Sequence, residues 1–558
     1  MSPPCLTGFA AALILVAVLS WTSIQNYRVF FGMYHDDGIY LVSAQSLAEG
    51  SGYRMLFLPG EPAQTKYPIG FSFLLSLIWR AFPSFPDNLT ALEIGQVVIA
   101  VALPLVAATY LIATRRVTPA LGLVIFAISA LNRRQLDFAP MLMSDLPCAL
   151  LSVLALWRTE IVAKRPFNLV SAALLGLIFG AVATIRMQGL LTVATCLIYL
   201  CLLRRFRQAG ISLVVSASVI APQMIWSACA RSQVPQLLSF YVGYISSGGE
   251  PPPTPAEWWS LFSGAKKWFY LILIRTFFPF LSQLPLPQTE LQIACCSIVC
   301  LFFMALIWVG LWGDLRRSAI LSIFWLMYGS HLFFYPVYVE WRHILPSIWL
   351  AYYFYFRGWR LIARGLKPRW RALRRPYQSI CAASAILFSG YLLAGTAIEA
   401  WQKAGRYEQV RSERVPLFSP QVSGADYAQS FAWIKANTKL SDTFICNNEP
   451  ILFLYTGRKA LFPVQIDHWS IIKQTLPPLI SVDQAIGFGR VKYIMVDPLF
   501  RGLGHMLSPA DALVISWSSQ YPGSITPVFV SSHGLVRIFA VDQSKLAARL
   551  PANHDRDR

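Results

Sequence analysis

The sequence predicts a mainly α fold: a polytopic bundle of transmembrane helices with a small C-terminal α/β unit outside the membrane. Three observations carry this. Of 558 residues, 56% are hydrophobic and 13% charged, with mean hydropathy +0.51; soluble domains carry about 25% charged residues. The apolar residues come in repeated runs separated by short basic clusters. From about residue 400 onward, polar residues become regular and no apolar run reaches the roughly 20 residues a span needs.

Taken in order, eleven spans are predicted: 7–24, 91–113, 118–132, 143–157, 168–184, 188–203, 210–229, 291–312, 318–336, 343–357 and 378–396. The N-terminus lacks a basic n-region and an obvious cleavage site, so 7–24 reads as a retained first span. The apolar stretch 68–82 is short and is followed by Pro83 and Pro86. It reads as a helix lying in the membrane interface.

Charge asymmetry sets the orientation. The net charge is +20, from 47 Lys and Arg against 27 Asp and Glu. In a soluble chain this would point to nucleic acid; here the basic residues sit between apolar runs, and topology explains them. With the N-terminus cytoplasmic, the inner loops carry Arg115 and Arg116; Arg158, Lys164 and Arg165; Arg204, Arg205 and Arg207; Arg316 and Arg317; and eight more between Arg357 and Arg375. Only Glu160 and Asp314 oppose them. A full span at 68–82 would invert every later loop.

Residues 1–400 thus form the membrane domain, with a first outer loop at 25–90 and a second at 230–290. The second holds Gly248-Gly249-Glu250-Pro251-Pro252-Pro253 and then Glu257-Trp258-Trp259. This reads as a mobile loop resting at headgroup level, or as a plain connector. Residues 420–545 read as the α/β unit, with a helix from Tyr427 to Thr438 and strands at 443–446, 491–496, 526–530 and 535–541. Eleven spans place it outside the cytoplasm. The tail 546–558 is polar and reads as disordered. The ten cysteines lie mostly within apolar runs, none in a metal-type pair, and Cys446 stands alone in the polar unit.

The ionisable residues at outer span ends are His35, Asp36 and Asp37; Lys66; Arg133, Arg134 and Asp137; Asp145; Arg186; and Arg342 with His343. Carboxylates and cations gathered on one face suit an anionic ligand and a general base. Blander readings exist for some. Asp36-Asp37 also fits a solvated loop, Asp145 a helix-capping acid beside Pro147, and Arg133 and Arg134 snorkelling at the interface. Arg186 lies in a short turn where positive-inside expectation disfavours it, so it needs a partner or a ligand.

These residues carry a resemblance. His35-Asp36-Asp37-x-x-Tyr40, continued by Ala44, Leu47, Gly50, Gly52 and Tyr53, resembles the first outer loop of the GT-C membrane glycosyltransferases. The type is that of the protein O-mannosyltransferases and the lipid A aminoarabinose transferase. Lys66-Tyr67-Pro68-Ile69-Gly70, Ser144-Asp145-Leu146-Pro147, Thr184-Ile185-Arg186-Met187-Gln188-Gly189-Leu190 and Trp341-Arg342-His343-Ile344-Leu345-Pro346 resemble further family elements, in order. Asp37 stands where the family commonly has Glu. The match covers about residues 5–400. Trp433-Ile434-Lys435 and Leu454-Tyr455-Thr456-Gly457-Arg458 resemble the soluble tail of such proteins.

The resemblance implies transfer of a sugar from a polyprenyl-phosphate donor to an acceptor hydroxyl on a lipid, glycan or protein, on the extracytoplasmic side of the cell membrane. Pentose, hexose and aminosugar donors all fit it. Lys66, Arg186, Arg342 and His343 would hold the donor phosphate. Asp36 would take the acceptor proton, with Asp37 and Asp145 orienting it, binding hydroxyls or holding the cations. Tyr40, Tyr67 and Gln188 would support them. Direct displacement implies inversion. No cofactor is implied; an Asp-Asp pair could hold a divalent metal, but the family generally needs none and the chain offers no dense ligand cluster. Nucleic acid is not an expected partner. A polymerase or ligase of lipid-linked glycans would share the substrate class. A flippase would be expected to show internal repeats and polar residues near the bilayer centre, and the sequence shows neither.

Overall fold

The computed structural model describes residues 31–32, 34–241, 254–260, 263, 276–277, 290–334, 341–365, 424–465, 478–498 and 508–547. The predicted spans 7–24 and 378–396, the hinge at 248–253 and residues 548–558 of the predicted tail lie outside these; 546–547, read as the start of a disordered tail, end a helix in which Leu546 is buried.

The chain is mainly helical. The first two helices, α1 (Asp36–Ala48) and α2 (Ile69–Ala81), pack on one another. The bundle continues with α3 (Leu89–Ala113), α4 (Pro119–Ala130), the short α5 (Arg133–Phe138), α6 (Asp145–Lys164), α7 (Leu169–Ile185), α8 (Gly189–Leu202) and α9 (Phe206–Arg231). After a 3-10 turn at Gln236–Tyr241 come α10 (Glu290–Ser318) and α11 (Ile320–Phe334). A second 3-10 turn at Trp341–Ser347 leads into α12 (Ile348–Gly365). Among the described residues, α3, α6 and α9 are long and apolar enough to cross a membrane; α2, α4, α7, α8 and α11 are shorter apolar helices. At 1.5 Å per residue the 13 residues of α2 extend only about 20 Å, less than the roughly 30 Å hydrocarbon core.

Local chemistry sets the helix starts. Thr118 caps α4 by accepting from the Leu121 N–H, with Pro119 in the first turn where its missing N–H does no harm. Asn168 caps α7 through Ser171 N–H. Sparse polar contacts pin helix pairs: Ser212 donates to the Ala172 carbonyl at 2.9 Å between α9 and α7, and Thr192 to Ser152 at 2.8 Å between α8 and α6. Apolar side chains such as Leu177 on α7 and Val214 and Ile225 on α9 are exposed, as a lipid-facing surface requires.

The C-terminal part contains α13 (Gly424–Asn437), β1 (Thr443–Ile445), α14 (Glu449–Thr456), β2 (Ala460–Leu461), β3 (Val491–Val496), α15 (Pro509–Gln520), β4 (Ile525–Val530), β5 (Arg537–Val541) and α16 (Gln543–Ala547). Among the described residues five strands lie in the order β2-β1-β3-β5-β4. β1 runs parallel to β2 and β3, while β5 is antiparallel to β3 and β4. The sheet meets the segment between α1 and α2. The Ala460 N–H donates to the Phe57 carbonyl at 2.9 Å, and Lys459 pairs with Glu61 at 2.8 Å. One apolar core runs through both parts.

Several elements go beyond the sequence expectation, strand β2 among them. The region 25–90 holds the buried helix α1, and α5, α14 and α15 each fill a stretch read without structure.

Candidate functional site

Asp36 and Asp37 form the first turn of α1, where acidic groups are favoured by the helix dipole. Their carboxylates face different ways. Asp37 is buried, and its two oxygens accept from the backbone N–H of Gly32 at 2.7 Å and of Gly38 at 2.8 Å. Burial pushes its carboxyl up to about 6 in spite of these bonds. Asp36 is more open, with 27% of its side chain exposed. It accepts from the Tyr67 hydroxyl at 2.6 Å and faces Arg342 Nη1 at 3.5 Å. Burial disfavours its charge, but Arg342, Lys66 and the Tyr67 hydrogen bond together outweigh this and hold the carboxyl below its usual range. Asp36 is therefore ionised at neutral pH.

Lys66 and Tyr67 arrive on the strap leading into α2. The ammonium of Lys66 lies 5.5 Å from the centre of the Tyr67 ring. Burial pushes Lys66 down to about 8, against the pull of Asp36. Gly70 lets the start of α2 seat closely. A Cβ there would come within 2.7 Å of the Thr184 carbonyl, at the end of α7.

That contact brings the turn carrying Arg186 to the site. Arg186 donates to Asp145 Oδ2 and to Ser144 Oγ, each at 3.0 Å. Ser144 in turn bonds the Tyr40 hydroxyl at 3.0 Å, and the Tyr40 ring lies 5.0 Å from that of Tyr67. The chain of contacts Asp36, Tyr67, Tyr40, Ser144, Arg186, Asp145 is continuous. Gln188 stands at the N-cap of α8 without a side-chain cap bond. Arg342 comes from the second 3-10 turn and lies over the Tyr34 ring at 5.0 Å. His343 follows it; its carbonyl accepts from Tyr328 at 2.8 Å, and Arg342, Arg186 and His331 all lie within electrostatic reach of its ring.

Asp36, Asp37, Lys66, Asp145, Arg186, Arg342 and His343 thus meet at one end of the bundle, with Tyr40 and Tyr67 between them. Arg134 belongs to α5, whose start is capped by Asn132. Among the described residues no group of three or more His, Cys, Asp or Glu is arranged to hold a metal ion. Sequence reasoning passed over Ser144 as a contact, Tyr34 beneath Arg342, and Glu449, whose Oε2 lies 2.9 Å from His35 Nε2. Ser144 could have been singled out from its place beside Asp145. Glu449 lies 414 positions from His35, and no local pattern links them.

The arrangement can do two things. An ionised, partly exposed carboxylate can take a proton. Cations on three separate segments can hold an anion.

No family model matches the sequence, and no curated protein matches it closely. Solved structures do match. ArnT from Cupriavidus metallidurans in the apo state aligns with TM-score 0.55 at 13% identity, covering 97% of this chain and 99% of that one. The same protein bound to undecaprenyl phosphate aligns with TM-score 0.52 at 12% identity, over 97% and 98%. The archaeal oligosaccharyltransferase AglB from Archaeoglobus fulgidus, in complex with an inhibitory peptide and a dolichol-phosphate, aligns with TM-score 0.52 at 11% identity, over 97% of this chain and 75% of that one. Across nearly its whole length, this chain shares the fold of ArnT and of AglB.

Proposed function

We propose that the protein is a multi-pass membrane glycosyltransferase of the cell membrane. It moves a sugar from a polyprenyl-phosphate donor to an acceptor hydroxyl on the extracytoplasmic side, with Asp36 as general base. The observation that carries this reading is the placement of Asp36 between Tyr67 and Arg342, in a fold shared with proteins seen bound to undecaprenyl phosphate and dolichol-phosphate. In the same reading the N-terminus is cytoplasmic, about eleven spans form residues 1–400, and residues 420–545 form an extracytoplasmic domain.

The reaction follows from the charges. The acceptor oxygen attacks the anomeric carbon and loses its proton to Asp36 as the bond to the phosphate oxygen breaks. The phosphate leaves with an added negative charge, held by Arg342 and Lys66 beside Asp36 and by Arg186 across the site. One displacement inverts the anomeric centre. The resting contacts supply a switch in basicity. A phosphate that engages Arg342 and Lys66 draws from Asp36 the cations that stabilise its charged form. Its proton affinity then rises when a base is needed. Asp37, bonded to backbone N–H groups, keeps the first turn of α1 in place. Asp145 holds Arg186.

The test is to identify lipids that copurify with the protein by mass spectrometry, then to assay transfer from the lipid found. A polyprenyl-phosphate sugar that is consumed on adding acceptor, with an inverted product, is expected. A protein that carries no such lipid and transfers from none of a panel of pentosyl, hexosyl and aminosugar polyprenyl phosphates would refute the reading.

A further inference from the structure

His35 immediately precedes Asp36 and has φ +60°, where side chains other than glycine are uncommon. Such a conformation persists only where neighbours hold it. The neighbour here comes from far along the chain. Glu449, the first residue of α14, has a fully buried side chain whose Oε2 lies 2.9 Å from His35 Nε2. Its other oxygen accepts from the Tyr241 hydroxyl, so neither is left without a bond. The rings of Tyr241 and Phe462 flank the imidazole at 6.3 and 5.9 Å.

The residues on either side of Glu449 act on the same turn. The Asn448 amide donates to the Gly32 carbonyl at 2.7 Å, and the Gly32 N–H donates to Asp37. Pro450 lies against Gly38 so closely that a Cβ there would come within 2.9 Å of Pro450 Cβ. Three consecutive residues of the C-terminal part thus grip 32–38, the segment that carries Asp36.

We propose that Glu449 is a positioning residue that, acting through His35, holds the first turn of α1 so that Asp36 lies against Tyr67 and Arg342. The inference rests on the reading of Asp36 as the base. It makes the start of α14 a working part of the site. The charged and titratable groups facing His35 include Glu449 from α14, Asp36 and Asp37 on the adjoining turn, Lys66 from the strap and Tyr241 from the 3-10 turn. Burial disfavours the imidazolium, yet the Glu449 carboxylate outweighs it and raises the pKa of His35. Truncating either partner removes the His35–Glu449 contact from a buried site.

The experiment uses the full chain in lipid nanodiscs, with Glu449→Ala, Glu449→Gln, His35→Ala and the double alanine variant. Hydrogen exchange of segment 31–48 should rise about tenfold in Glu449→Ala, while segment 443–461 stays as in wild type. The Kd for undecaprenyl phosphate should change less than about threefold. With the donor identified above, kcat should fall about tenfold at unchanged KM. Glu449→Gln, which keeps an acceptor for an imidazole N–H, should recover part of the loss. The double variant should be no worse than either single variant, because both remove one interaction.

Wild-type exchange of 31–48 in Glu449→Ala would overturn the proposal, as would effects that multiply in the double variant. Loosening of 443–461 in step with 31–48 would make Glu449 an ordinary fold contact and would also overturn it. A wild-type protein that transfers no sugar removes the transferase reading, and the exchange of 31–48 still decides whether Glu449 holds the turn.

Discussion

Two clusters of charge lie at opposite ends of α6, and they are built on different plans. At the end where Glu160 and Lys164 lie, Arg116 donates to Asp314 at 2.8 Å and to Glu160 at 3.1 Å. Glu160 also accepts from Tyr110 and Lys164, each at 2.8 Å, and Asp314 from Tyr353 at 2.7 Å. The side chains of Arg116, Glu160 and Asp314 are at most 3% exposed. At the end where Asp145 lies, Asp36 and Arg342 stand 3.5 Å apart with 27% and 13% of their side chains exposed. Sequence composition treats both clusters alike. The difference teaches what each is for. A sealed, short-bonded network has no room for a substrate and can only hold helices together. A looser, reachable set can exchange its internal partners for those of a ligand.

The largest expected effect is on stability at the sealed end. Arg116→Ala leaves two carboxylates buried without their guanidinium, a loss on the order of 3–5 kcal/mol. A markedly lower thermal midpoint in detergent is expected, with transfer by the surviving folded protein close to wild type. Loss of activity without loss of stability would erase the contrast between the two ends.

Next come the arginines of the open end. Arg342→Ala and Arg186→Ala should each slow transfer about a hundredfold through lost contacts to the leaving phosphate, worth about 2–3 kcal/mol. Their thermal midpoints should move less than that of Arg116→Ala. Wild-type turnover in both variants would make them structural.

The third effect is a pH limb. Lys66 sits at about 8, so its positive charge is present below that pH and lost above it. If that charge binds the donor phosphate, kcat/KM falls about tenfold per unit above pH 8. Lys66→Arg, whose charge persists beyond pH 12, should move the limb upward. A limb that stays in place in Lys66→Arg belongs to another group.

The smallest effect sharpens the comparison from within the sealed cluster. Lys164 is 61% exposed where it meets Glu160. Its removal should cost about 0.5 kcal/mol or less, hardly visible in a melt. A loss as large as that of Arg116→Ala would show that the network acts as one unit.

Among the described residues the long apolar helices were legible because long apolar runs have few other homes; the predicted span 91–113 became Leu89–Ala113. Strand β3 emerged at 491–496 as its apolar run predicts. Helix α1 was not legible. Gly38, Ser43 and Ser46 interrupt its apolar residues, and it is buried on nearly all sides, so no amphipathic period marks it. Helix α14 is eight residues long, too short for periodicity to declare itself. Of the site, residue types and their order could be read, but not which carboxylate is open. Asp36 and Asp37 are adjacent and chemically equivalent in sequence. Only the turn into α1 sends one to the backbone of Gly32 and Gly38 and the other to Tyr67 and Arg342. Arg116 does lie in the connector between α3 and α4, as a loop charge should, but its burial among carboxylates drawn from two other helices was not legible.

The central claim is that the open cluster works through Asp36. The most direct measurement compares transfer by Asp36→Asn, Asp37→Asn and Asp145→Asn on folded protein of verified thermal midpoint. Asn at 36 keeps the shape and accepts a hydrogen bond from Tyr67, yet takes up no proton. Turnover should fall roughly a hundredfold or more while undecaprenyl phosphate still binds; Asp37→Asn should lose less, and Asp145→Asn should act mainly on donor binding through Arg186. Near wild-type transfer by folded Asp36→Asn, with either of the other two inactive, would contradict the account.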